Sequence, residues 1–188
     1  MTVPDSLERE KRLNCKIIAG VVYIADVGEF LSLVRTIART YGVTIQAMNA
    51  ELVAGEGHIT SAVKKALRAV ERKRNITSDL GLEILLYAAG RRQIERALAM
   101  GVSEGEQNIA LVIVAAGEKD LEAIAEAVKR EAGIREEQMS ALELEYNAAK
   151  RAGIKTFFDI TDAELRAVGE KKLKLLVLER VAMLDVLK

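Results

Sequence analysis

The run NIALVIVAA, Asn108–Ala116, decides the fold class. It is short, almost wholly apolar and rich in β-branched residues, which makes it the clearest strand signal in the chain. Two further stretches read as strands, Ile17–Ala25 and Thr44–Ala50. Helical periodicity fills the intervals. Glu29–Thr40 carries Phe30, Leu33, Val34 and Ile37 at helical spacing. His58–Lys73 carries one stripe of Ile59, Ala62, Val63, Ala66, Leu67 and Val70. Ser78 or Asp79 caps a helix over LGLEILLYAAG, although Ile84–Tyr87 also reads as a strand. RRQIERALAMG predicts a helix closed by Gly101, and Glu118–Ala132 an acidic amphipathic helix ended by Gly133. Beyond Glu137 lie a short helix or strand near Leu142 and a helix capped by Thr161 or Asp162. The expectation is an α/β (α+β) fold, a single domain over 1–188 with a small mixed β-sheet packed against several helices.

The chain has 188 residues, half of them apolar, with one proline and one cysteine. That is enough for a core and too apolar for disorder. No stretch reaches the roughly 18 apolar residues of a membrane span, and the N-terminus lacks a signal-peptide core. A soluble, cytoplasmic protein is expected. Cys15 sits in an apolar strand and reads as core. No metal-ligand spacing and no catalytic constellation is visible, so neither a cofactor nor enzymatic activity is expected. His58, the only histidine, reads as a hydrogen-bonding structural residue.

Zero net charge hides an asymmetry. Lys64, Lys65, Arg68, Arg72, Lys73 and Arg74 stand against Glu71 alone, whereas Glu118–Glu145 holds nine acidic residues against four basic ones. Local patches, not the net value, decide what a surface attracts. Basic residues at a helix C-terminus suit its dipole. Their density exceeds that need, and Arg91 and Arg92 at the start of a following helix would oppose the dipole. A phosphate backbone is the partner such a face fits, with Ile76 as a small apolar platform for a base. The preceding turn, GEGH at 55–58, resembles a phosphate loop only weakly. Thr60 stands where a dinucleotide fingerprint needs glycine, and Glu56 would repel an anion. A nucleotide-binding enzyme using this turn is thus the lesser alternative.

The last helix, KKLKLLVLERVAMLDVLK, is apolar on two sides. Leu173, Leu176, Val177, Val181, Leu184 and Leu187 share one face. Leu175, Leu178, Ala182 and Val186 gather opposite, with Met183 beside them. One face can pack on the domain. The other needs more of this chain, a partner, or a second copy in a homodimeric scaffold.

GEGHITSAVKKALRA, NITSDLGLEILLYAAGRRQIERALAMGV and NIALVIVAA, in this order, resemble the small kinase-associated subunit of the KEOPS complex. That is the family of the human PRPK-binding protein and its archaeal counterparts. The ending FFDITDAELRAVGEKKLKLLVLERVAMLDVL is similar to the same family's C-terminal region. The resemblance implies a single α/β fold with no catalytic activity of its own. It implies a place in the complex that installs threonylcarbamoyl on the adenosine next to the anticodon. There the family binds the N-terminal lobe of a small atypical kinase, which in turn binds the threonylcarbamoyl transferase subunit. In archaeal members it helps to recruit tRNA through the 3′ CCA end. The candidate tRNA-binding residues are Lys64, Lys65, Arg68, Arg72, Lys73, Arg74, Ile76, Arg91 and Arg92. The candidate kinase-interface residues are Leu175, Leu178, Ala182, Met183 and Val186.

Overall fold

The computed structural model describes residues 14–144 and 147–187; residues 1–13, Glu145, Tyr146, Lys188 and the side chain of Leu187 lie outside the described residues. In chain order the elements are β1 (Cys15–Ile24), α1 (Val27–Tyr41), β2 (Thr44–Asn49), α2 (Glu56–Glu71), α3 (Leu80–Ala89) and α4 (Ile94–Leu98). Then follow β3 (Gly105–Val114), α5 (Leu121–Ala132), β4 (Arg135–Glu137), α6 (Ala148–Phe157), α7 (Asp162–Val168) and α8 (Leu173–Leu187). Short 3₁₀ turns precede α2, α6 and α8.

The sheet order is β2-β3-β1-β4. β3 pairs with β1 from Cys15↔Val114 to Ile24↔Gly105, and with β2 from Thr44↔Val114 to Asn49↔Ile109. The fold class is the expected one, but the mixed sheet is corrected: every pairing is antiparallel. Strands alternating with helices suggest parallel neighbours. Here β3 inserts between β1 and β2, so the β1-α1-β2 crossover is split and its two strands never touch. This is the split-βαβ arrangement, with three helices inserted between β2 and β3.

Helices cover both faces of the sheet, which explains the unbroken apolar run in β3. Ile109, Leu111 and Ile113 point into a core with Phe30, Val34 and Ile37 of α1 and Ile124, Ala125 and Val128 of α5. Ala110, Val112 and Val114 point the other way, into a core with α2, α3 and α8. Both outer-layer helices are bounded as their sequences dictate. Asp26 and Asp120 accept from the backbone N–H groups of Glu29 and Ala123, and Gly42 and Gly133 close the C-termini.

The segment that reads as either helix or strand is α3. Asp79 caps it, Gly90 ends it, and every residue from Glu83 to Ala89 is buried. A helix buried on all sides needs no polar face, so its sequence lacks the usual period. Gly90 (φ 61°) ends α3 directly beneath α8. A Cβ there would lie 3.2 Å from both Cβ and the carbonyl oxygen of Arg180. A third cluster, Ile154, Phe158, Ile160, Leu165, Leu173, Leu176 and Val177, joins α6 and α7 to the first half of α8.

His58 holds these parts together. The Ala54 N–H donates to Nδ1 at 3.0 Å, and Nε2–H donates to the Ala88 carbonyl at 2.8 Å. The ring lies edge-on to Phe158 at 5.7 Å. It therefore ties the start of α2 to the end of α3 and to the C-terminal cluster. Each nitrogen has one partner of fixed sense, so the ring is neutral. Complete burial pushes its pKa down to about 4, assisted by the Lys150 and Lys174 cations and opposed by the Ala88 bond.

Above pH 6.5 the ring is neutral whether the chain is folded or not. As pH falls from 6.5 towards 4, the unfolded chain takes up a proton that the folded chain refuses. Stability should fall by about 1.4 kcal/mol per pH unit, about 3 kcal/mol over that window. Since His58 is the only histidine, its Cε1–H resonance reports the site directly. It should keep its neutral shift down to about pH 4, and a folded-state midpoint near the usual value would contradict this reading. Melting temperature should fall through the same window.

Candidate functional site

The apolar stripe of α2 packs inward through Ile59, Ala62, Val63 and Ala66. That orientation leaves Lys64 and Arg68 exposed. Lys65, one residue on, is half-buried and ion-pairs with Asp185 of α8 at 2.8 Å. Past the helix end, Arg72, Lys73 and Arg74 are exposed. Lys73 adopts φ 54°, which lets the Arg74 N–H donate to the Ala69 carbonyl at 2.8 Å. The chain thus folds back, and Arg68, Arg72 and Arg74 come to line one pocket with Ala69, Tyr87 and Asp185. Its volume, about 80 Å³, is far below that of a typical small-molecule site. The arrangement suits a phosphate group at a surface rather than an enclosed nucleotide.

Asp185 stands at the centre of this region. The Tyr87 hydroxyl donates to one carboxylate oxygen at 2.5 Å while Lys65 holds the other. Burial, then the Asp185 hydrogen bond, pushes the Tyr87 hydroxyl pKa well up. Periodicity places Asp185 only between the two apolar faces of α8. Its partners lie 120 and 98 residues away, and no local signal announces them.

The arginines after α3 are placed differently from the sequence expectation. α4 begins at Ile94, so Arg91 and Arg92 lie in the preceding turn and not in a helix opposing its dipole. Arg91 donates to the Phe157 carbonyl and to Asp159, both at 2.8 Å. Its guanidinium holds the Asp159 carboxyl below the usual range. The position of Arg91 is thereby accounted for within the fold. Arg92 is exposed, and so is Ile76, in the turn between α2 and α3.

The GEGH turn is a cap supplied from far along the chain. Gly55 (φ 93°) precedes α2 with no side-chain cap of its own. The Glu56 N–H faces Glu143 Oε1 at 3.4 Å, and Lys174 of α8 grips that carboxylate at 2.8 Å. A Cβ on Gly55 would collide with both groups, 2.5–2.7 Å away. The anion position at this helix terminus is therefore taken by the chain's own Glu143. Lys150 of α6 is buried nearby and donates to the Ala141 and Leu142 carbonyls. Burial holds its pKa below the usual range. Among the described residues no cluster of His, Cys, Asp and Glu could hold a metal ion. No described helix is long and apolar enough to cross a membrane.

The outer face of α8 is apolar and open. Leu175 is 58% exposed, Met183 43% and Val186 83%, with Ala182 beside them. Leu178, expected on this face, is half-buried. The inner face, Leu173, Leu176, Val177, Val181 and Leu184, is fully engaged.

No curated protein sequence matches the chain significantly. The profile of one family, described as kinase binding protein CGI-121, matches residues 25–185. With a split-βαβ sheet, an open apolar face on its last helix and that match over most of its length, the chain belongs to the CGI-121 kinase-binding family.

Proposed function

We propose that this member of a kinase-binding family is a non-catalytic, cytoplasmic subunit of the KEOPS tRNA-modification complex. It docks on the small atypical kinase through the outer face of α8, using Leu175, Leu178, Ala182, Met183 and Val186. It helps to recruit tRNA, through the 3′ CCA end, with the basic face of α2. The observation that carries the kinase contact is the second apolar face of α8. Large side chains left exposed together on one helix mark a partner surface. The tRNA contact rests on Lys64, Arg68, Arg72, Lys73 and Arg74, all exposed along α2 and the turn after it, where Ile76 is exposed as well; Arg68, Arg72 and Arg74 line one pocket. Binding at two surfaces gives a mechanism without new chemistry. Tethering one end of the tRNA raises the effective concentration of its anticodon arm at the transferase subunit.

The same open face supports a second reading, a homodimer through α8. Light scattering of the isolated chain separates the two: a monomer that becomes a 1:1 complex with the kinase supports the proposal.

Leu175→Glu with Val186→Glu should leave the melting temperature within about 2 °C, since both positions are exposed. Kinase affinity, read by calorimetry, should fall about thirtyfold or more, the loss typical of a central interface anchor. Unchanged affinity would move the kinase surface elsewhere.

Lys64→Glu with Arg68→Glu should weaken tRNA binding about tenfold or more at 0.1 M salt and flatten its salt dependence. Kinase affinity should not change. A tRNA affinity equal to wild type in a filter-binding titration would remove the basic face from the proposal.

A further inference from the structure

We infer that Glu83 is a positioning residue: its buried carboxylate holds the turn from Lys73 to Asp79 in its RNA-contacting shape before RNA arrives. The inference rests on the tRNA reading of the basic face and adds how that face is kept in order.

Glu83 lies in the first turn of α3 and is 0% exposed. Its Oε2 accepts from two consecutive backbone N–H groups, Ile76 at 2.9 Å and Thr77 at 3.1 Å. Placing a carboxylate in a protein interior is costly, and an apolar side chain there would be cheaper. What the carboxylate supplies is a fixed position for the backbone of the turn. Around it the rest of the turn is wired locally. Asn75 donates to the Thr77 carbonyl, Thr77 Oγ1 accepts from the Asp79 N–H, and Asp79 caps α3.

The entrance to the turn carries an independent sign of the same purpose. Lys73 closes α2 in the left-handed region (φ 54°), where glycine is the ordinary and less strained choice. Strain kept at one residue is a pointer to function. Here it keeps a cation on the exposed side of the turn, beside Arg72 and Arg74, and leaves Ile76 37% exposed. A turn held in advance loses less conformational freedom on binding than a loose one. The buried carboxylate on α3 and the strained lysine after α2 therefore serve one end: presenting Arg72, Lys73, Arg74 and Ile76 as a rigid unit.

Three measurements test this. In the free protein the Ile76 and Thr77 amides should exchange with solvent about a thousandfold slower than in an open loop, with little change on adding a tRNA transcript. Fast exchange that slows only with tRNA would overturn the inference. Lys73→Gly should raise the melting temperature by about 2 °C or more and weaken tRNA binding about threefold or more; a stabler protein with unchanged tRNA affinity would equally overturn it. Glu83→Leu should weaken tRNA binding about tenfold at unchanged kinase affinity. Glu83→Gln, which keeps an acceptor oxygen for both amides, should stay within about threefold of wild type. Equal tRNA affinity in all three proteins would remove Glu83 from its role. If Glu83→Leu does not fold, the exchange and Lys73→Gly results decide. Failure of the tRNA reading itself looks different: Lys64→Glu with Arg68→Glu then leaves tRNA binding intact, whatever Glu83 does.

Discussion

The neutral imidazole of His58 is the constraint on which the second layer of this protein depends. It is wholly buried and uses both nitrogens, one as acceptor and one as donor. Through them it sets the distance between the chain entering α2 and the chain leaving α3. Both cores on that side depend on this distance. α3 is buried all round, so it must be surrounded by α2, α4, α8 and the sheet at once. A protonated ring would lose its acceptor and place a charge in an apolar interior. The lowered pKa of His58 is thus the electrostatic expression of a packing requirement.

α8 is the element through which the rest communicates. Its inner face completes two hydrophobic clusters. Its polar residues reach further: Lys174 to the Glu143 cap of α2, Arg180 to Glu164 of α7, and Asp185 to Lys65 and Tyr87. The helix that carries the open apolar face therefore also holds the start and the middle of the basic helix. A partner seated on α8 would sit one layer away from the arginines around Tyr87, so the two surfaces belong to one packed unit.

Much of the fold was legible in the sequence. Asn108–Ala116, Thr44–Ala50 and Ile17–Ala25 read as strands, and the stripes of α1, α2 and α5 read as helices, because those signals are short-range. The antiparallel sheet was not legible, since nothing local says that β3 inserts between β1 and β2. β4 was missed because three charged residues, Arg135–Glu137, make an edge strand with no apolar pattern. In the site, the basic run was visible. Glu83, Lys150 and the half-buried Glu143 were not, because charged residues engaged inside the fold look in sequence like any solvated ones.

The sequence by itself determined the three long strands, most of the helices, the two apolar faces of the last helix and the concentration of positive charge between Lys64 and Arg74. Each depends on spacing within one turn or one strand, which the local backbone dictates. Only the tertiary structure decided which charges are available. Lys64 and Lys65 are neighbours of the same kind, yet Lys64 is exposed and Lys65 is held by a carboxylate 120 residues away. Arg91 is likewise claimed by Asp159 and Arg92 is left exposed. Whether a charge faces solvent or a counter-charge depends on which distant helix packs against it. That follows from how three cores are filled together, not from any pattern along the chain.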